Sequence, residues 1–141
     1  MPEYVLGIDF GEKRIGLAVG QTMTCQAQAL TTLINDGSFW QQLQNIINEW
    51  HISSLVFGLP LDASGQEQEI TRRVKNFARK ASQNTALPVT FVDERYTSYE
   101  AERTFQQSRA AGLTKAKQKS QLDAMAAQII LQSWFDQQHN T

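Results

Sequence analysis

An α/β fold with one mixed sheet is predicted by the order of apolar patterns in this sequence. Two apolar runs, residues 4–10 and 15–20, flank a short turn that contains glycine, which is typical of a β-hairpin. After a third strand within residues 27–33, helical and strand patterns alternate along the chain. We therefore expect a five-stranded sheet, with an antiparallel meander followed by two parallel strands and with helices on both faces.

The first helix is predicted over residues 39–50, where apolar side chains recur at helical spacing. Ser38 and Gln41, which are three residues apart, match a capping box at its start. A short apolar run at 52–57 follows and predicts the fourth strand, which Gly-Leu-Pro at 58–60 ends.

The second half of the chain predicts three more helices and one more strand. Ser64 and Glu67 match a second capping box ahead of an amphipathic helix. A strand at 89–92, a helix at 97–111 and a last helix at 119–136 complete the order.

Length and charge limit the possible functions. With 141 residues we expect a single domain covering residues 1–141. The formal net charge is −1, yet residues 71–84 and 103–120 each hold five cations and no acid. A nearly neutral total therefore does not exclude a nucleic-acid partner.

Other bulk features argue for a cytoplasmic protein without a membrane partner. Cys25 is the one cysteine of the sequence, so no internal disulfide can form. No apolar stretch approaches the length of about 18 residues that a membrane span needs. The first residues have no basic segment followed by an apolar one, so we expect no signal peptide.

Three carboxylates occupy positions where an unpaired charge is costly. Asp9 lies inside the apolar run of the first strand, Glu94 follows the last strand, and Asp123 falls within the apolar arc of the last helix. Each position has a structural alternative. Asp9 could cap a turn, Glu94 could pair with Arg95, and Asp123 could be a helix-start acid with a cation as its partner.

Taken together, the three acids predict a catalytic metal site. Two strand ends and one helix start could bring Asp9, Glu94 and Asp123 to one edge of the sheet. Oxygen ligands with few His or Cys residues nearby favour Mg²⁺ or Mn²⁺ over zinc. Such a site suits phosphoryl transfer.

Segments along nearly the whole chain resemble, in order, the YqgF (RuvX) family. Residues 7–18 resemble its first hairpin, and Gly-Leu-Pro-Leu at 58–61 resembles its second block. Asp-Glu-Arg-Tyr-Thr-Ser at 93–98 resembles its third block, and residues 119–131 resemble its C-terminal helix.

The resemblance implies an RNase H-like fold and a metal-dependent nuclease. The family has been described both as a Holliday-junction resolvase and as a nuclease for the 5′ end of pre-16S rRNA. Its acidic positions fall on Asp9, Glu94 and Asp123. Resolvases of the RuvC type have a second acid one turn earlier in the last helix, where this chain has Lys119 and Ser120.

The expected partners are pre-rRNA or branched DNA and, beyond these, the ribosome, with the chain a monomer or a weak homodimer. Six basic residues are candidate nucleic-acid ligands: Lys13, Arg14, Arg95, Lys115, Lys117 and Lys119. Gly11 and Gly16 either shape the hairpin or let a phosphate approach the backbone. The cations of residues 71–84 are typical of a solvated helix face.

Two other classes of function compete with the nuclease. An actin-like ATPase or sugar kinase shares a similar first hairpin, but it needs two domains around the nucleotide and a second phosphate hairpin. A non-catalytic module that binds RNA or the ribosome would keep the fold and the basic segments without needing the acids.

Overall fold

The computed structural model describes residues 3–94 and 115–139, with the backbone alone for residues 115–119 and 139. In chain order these ranges contain β1 (Tyr4–Asp9), β2 (Arg14–Gln21), β3 (Gln26–Ile34), α1 (Phe39–Trp50), β4 (Ile52–Leu59), α2 (Glu69–Thr85), β5 (Val89–Asp93) and α3 (Lys115–His139).

The five strands form one mixed sheet in the order β3-β2-β1-β4-β5. Strands β1, β2 and β3 are antiparallel neighbours, whereas β4 runs parallel to β1 and β5 runs parallel to β4. The predicted α/β fold is thus confirmed. Because β1, β4 and β5 are parallel, their carboxyl ends lie at the same edge of the sheet.

Helices cover both faces of the sheet, as the alternation along the strands requires. On one face Leu6 and Phe57 join a core that also contains Phe39 of α1 and Ala78 of α2. On the other face the buried residues of β1, β2 and β4 pack against α3, and this second core comprises Val5, Ala18, Val56, Ala127, Ile130, Leu131 and Phe135 with its neighbours.

Glycines let α3 lie unusually close to the sheet. A Cβ atom at Gly16 would lie 1.9 Å from the main-chain oxygen of Asp123, and one at Gly20 would lie 2.5 Å from the ring of Phe135. A Cβ atom at Gly7 would also meet α3, at 2.8 Å. The absent side chains therefore fix how deeply the helix sits on β1 and β2.

Two glutamines of α3 bond to backbone groups of β3 and of Cys25, which precedes it. Gln132 accepts the Ala27 N–H at 2.9 Å and donates to the Cys25 carbonyl at 2.9 Å. Gln128 donates to the Ala27 carbonyl at 3.1 Å. The helix thus covers part of an edge strand as well as the sheet face.

The prediction of a capping box at Ser64 is wrong. The N–H and hydroxyl of Ser64 and the N–H of Gln66 all bond to Asp62 Oδ1, which folds this segment into a tight turn. The box forms further along the chain, where Gln68 and Thr71 bond reciprocally at the start of α2. The nearby aspartate competes successfully for the serine.

The other predicted helices have different outcomes. Helix α1 has the predicted bounds, but the Ser38 hydroxyl donates to Asp36 instead of capping the helix. The predicted helix at 97–111 lies outside the described residues, and α3 already includes Lys115. No helix in the described ranges is long and apolar enough to cross a membrane.

We expect Gly16→Ala to destabilise the protein by about 2 kcal/mol, the scale of overpacking in a core. The new methyl group would collide with the α3 backbone rather than with a side chain that can move. Chemical denaturation measures the change. Gly37→Ala is the control, since a Cβ atom there meets nothing within 4 Å. Equal stability of the two variants would contradict this account of helix packing.

Candidate active site

The three predicted acids come from three elements that meet at the carboxyl edge of the parallel strands. Asp9 ends β1, Glu94 directly follows β5, and Asp123 belongs to α3. Gly16, which pairs with Asp9 across the hairpin, lies beneath the Asp123 backbone. Gly58 on β4 leaves room for Glu94, because a Cβ atom there would lie 2.4 Å from Glu94 Oε1.

Asp9 and Glu94 form a partly buried carboxyl pair that shares a hydrogen bond. Burial raises the pKa of Asp9 well above its ordinary value, and the charges of Glu94 and Asp123 raise it further. Burial also raises the pKa of Glu94, as does the charge of Asp93, while the hydrogen bond with Asp9 lowers it. The shared proton therefore belongs mainly to Asp9, which donates to Glu94.

Asp123 is held by a cation from the first hairpin. Arg14, the first residue of β2, donates from Nε to Asp123 Oδ2 at 2.8 Å. The two side chains are 34% and 23% exposed, so the pair is only partly solvated. Arg14 is thus the cation that pairs with Asp123. The sequence alone suggests Arg14 only as a nucleic-acid ligand.

The geometry of the acids is not a closed metal cage. Among the residues that the structure describes, no three His, Cys, Asp or Glu side chains surround one point closely enough to hold an ion. Asp9 and Glu94 face each other, and Asp123 is near enough for its charge to act on Asp9, but it is bonded to Arg14. The arrangement is a carboxyl pair with a third acid held to one side.

The turn between β1 and β2 is fixed by Asn35, a residue that no local sequence pattern singles out. Asn35 donates from its side chain to the Gly11 carbonyl and from its backbone to the Lys13 carbonyl, both at 2.9 Å. A Cβ atom at Gly11 would lie 2.3 Å from the Arg14 carbonyl oxygen, so hairpin geometry explains this glycine. Lys13 is exposed at the tip.

The other predicted contacts have two outcomes. Helix α3, rather than a phosphate, occupies the space above Gly16. Arg95 lies outside the described residues, and so do the side chains of Lys115, Lys117 and Lys119. Their role in binding nucleic acid stays a prediction.

Comparison with known proteins identifies the family. A family model described as "RuvX: Holliday junction resolvase" matches residues 3–137. The chain belongs to the RuvX family. It is 44% identical over 137 residues to a Coxiella burnetii protein named "Putative pre-16S rRNA nuclease", with 96% of this chain and 94% of the relative covered. A Methylobacillus flagellatus protein of the same name is 46% identical over 135 residues, with 94% and 90% covered.

Solved structures show the fold of this RuvX family member. The chain matches a structure titled "T. thermophilus RuvC in complex with Holliday junction substrate" with a TM-score of 0.59 at 17% identity, covering 99% of this chain and 97% of the other. A second Thermus thermophilus RuvC structure matches with a TM-score of 0.56 at 14% identity, covering 98% and 97%. The fold is RNase H-like, as the sequence resemblance implied.

We expect Asp9→Asn to raise the free energy of unfolding at neutral pH, by about 1 kcal/mol or about 3 °C in Tm. A raised pKa means that the folded protein holds a proton that the unfolded chain has lost. Wild-type stability therefore falls as the pH rises from the ordinary value of 3.8 through the raised pKa. Asparagine avoids that loss and still donates to Glu94.

Thermal unfolding of both proteins across this pH range, in a metal-free buffer, measures the difference. The gain should shrink as the pH falls. Asp62→Asn is the matched control with the opposite sign, because hydrogen bonds from Gln66 and Ser64 lower the pKa of Asp62. That variant should be less stable than wild type at neutral pH. A loss of stability in Asp9→Asn would contradict the site's electrostatics.

A double-mutant cycle with Arg14→Gln and Asp123→Asn should give a coupling free energy of about 0.5–1 kcal/mol, since the pair is only partly solvated. Denaturation of the four proteins measures it. The same cycle on Lys75 and Glu67, whose side chains are 46% and 47% exposed, should give a smaller value. Similar coupling in both cycles would argue against a specific role of Arg14 at Asp123.

Proposed function

We propose that this protein is a metal-dependent nuclease that hydrolyses phosphodiester bonds of structured nucleic acid, and that its substrate is the 5′ end of pre-16S rRNA. Membership of the RuvX family and relatives named as pre-16S rRNA nucleases support the nuclease class. The observation that carries the proposal is the carboxyl pair Asp9–Glu94, with Asp123 beside it at the carboxyl edge of the sheet.

The pair is costly for the folded protein, which argues that it serves a reaction. Two acids in a partly buried position repel each other when both are ionised, so one of them retains a proton. A structural role would be met better by a neutral side chain. Strongly perturbed acids grouped at the ligand-binding edge of a sheet are typical of active sites.

The donors present fit Mg²⁺ or Mn²⁺. Asp9 and Glu94 offer hard oxygen atoms that already share one proton, and a divalent cation would take the place of that proton. Asp123 would add a third oxygen once Arg14 released it. When bound, the cation would activate water and neutralise charge on the phosphate.

The chain's own residues would prepare the site for an anionic substrate. Arg14 holds Asp123 in place before the substrate arrives and would then offer its guanidinium to a phosphate. Lys13, exposed at the hairpin tip, would contact a neighbouring phosphate. We propose the same role for Arg95, Lys115, Lys117 and Lys119.

Holliday-junction cleavage is the second candidate function. The description of the matching family model favours it, and so does the likeness to RuvC in fold. Lys119 and Ser120, which stand where RuvC-type resolvases have another acid, favour the RNA substrate instead. A module that binds RNA or the ribosome without catalysis remains the non-enzymatic alternative.

We further propose that residues 1–141 act as one domain in the cytoplasm, as a monomer or weak homodimer, on precursor particles of the ribosome. A single cysteine suits a reducing compartment. The two basic segments suit a partner that is a polyanion.

We expect purified protein to cleave a pre-16S rRNA fragment with Mg²⁺ or Mn²⁺ and not with a chelator. Asp9→Asn, Glu94→Gln and Asp123→Asn should each lower kcat by at least about 100-fold, because each removes a carboxylate from the site. Gel assays of labelled RNA measure the rates, and a four-way DNA junction tested in parallel separates the two substrates.

Asp136→Asn is the matched control, since it removes an exposed acid from the same helix as Asp123. Its kcat should equal that of wild type. Cleavage that persists in all three active-site variants would refute the mechanism. RNA binding without turnover on either substrate would favour the non-catalytic module.

A further inference from the structure

A groove lies on the face of the sheet opposite to α3. It has a volume of about 320 Å³ and is lined by Phe10, Glu12, Asn35, Arg73, Asn76, Phe77 and Lys80. We call it the α2 groove, because four of these residues belong to α2. Its size is within the range of about 300–1,000 Å³ that is usual for ligand sites.

The floor of the α2 groove is aromatic and held by packing. The rings of Phe10 and Phe77 have centroids 4.8 Å apart, and Trp40 stacks on Phe77 at 5.1 Å with an angle of 23° between the rings. Phe10 and Phe77, the two rings that line the groove, are only partly buried. Partly exposed rings in a fixed arrangement are what an unpaired nucleobase stacks against.

Cations, amides and the carboxylate of Glu12 surround this floor. Arg73 is anchored by Glu12 of the hairpin turn and by Glu69 at 3.0 Å. Lys80, two turns along the same face of α2, has no ion-pair partner among the described side chains. The side chains of Asn35 and Asn76 add hydrogen-bonding groups.

The α2 groove lies next to the candidate active site. Phe10 directly follows Asp9, the last residue of β1, and it packs against the core on the α1 and α2 side of the sheet, whereas Asp9 interacts with Glu94 and with Asp123 of α3. The Gly11–Lys13 turn, fixed by Asn35, borders both places. A nucleic-acid strand that crosses this edge of the sheet could contact both the acids and the α2 groove.

We propose that the α2 groove binds an unpaired nucleotide of the substrate strand beside the scissile bond, with its base on Phe10 and Phe77 and its phosphates at Lys80 and Arg73. This inference rests on the proposed nuclease function and names a substrate contact for it. Glu12 would give up Arg73 to a phosphate, so it opposes binding.

Binding of a short, fluorescently labelled single-stranded RNA to Asp9→Asn protein tests the proposal without requiring turnover. Lys80→Glu should weaken binding at least about fivefold and lower the salt slope by about 0.7, the share of one phosphate contact. Arg72→Glu, an equal change of charge on another face of α2, is the control and should have a much smaller effect. Glu12→Gln should strengthen binding.

Cross-linking of an RNA that contains 4-thiouridine should mark peptides with Phe10 and Phe77. Equal effects of Lys80→Glu and Arg72→Glu, weaker binding by Glu12→Gln, or cross-links confined to other segments would overturn the proposal. So would equal affinity for a polyglutamate peptide, which offers charge without a base. If wild type cleaves RNA but these binding tests fail, only the proposed role of the α2 groove is refuted. If the binding tests succeed but no substrate is cleaved, only the proposed nuclease function is refuted.

Discussion

The close approach of α3 to the sheet is the constraint on which the candidate site depends. Three strands present glycine to this helix, and at Gly16 the helix backbone takes the place of a side chain. Asp123 reaches the end of β1 only because that space is open. The contact between α3 and the sheet therefore both forms the second core and sets the spacing of the acids.

The electrostatics of the site show how the fold tolerates three acids at one edge. The raised pKa of Asp9 favours its protonated form, which gives a hydrogen bond to Glu94, and Asp123 forms an ion pair with Arg14. Each acid therefore has its own hydrogen-bond or ion-pair partner, and a bound cation or phosphate could replace that partner. The site is thus stable enough to fold yet arranged so that its charges can be exchanged for those of a ligand.

The sequence predicted the sheet and the three acids, because hairpin and helix periodicities are local patterns. It also predicted that Asp123 needs a cation, but Arg14 lies 109 residues away and no local pattern links the two. From the sequence Gly16 is explained by the hairpin or by a phosphate, since its contact with α3 exists only in the tertiary structure. The cations of α2 have the sequence pattern of a solvated helix face, and only the tertiary structure shows that Phe10 lies beside them.

The glutamines that bond to β3 have a consequence for association. An edge strand normally offers its free backbone groups to any extended chain, which leads to edge-to-edge aggregation. Gln128 and Gln132 occupy two of those groups, both on Ala27, and Gln132 also bonds to the carbonyl of Cys25 just before the strand. A passing chain would have to displace the last helix before it could extend the sheet there. Loss of either glutamine would therefore reduce solubility in crowded solution rather than impair chemistry.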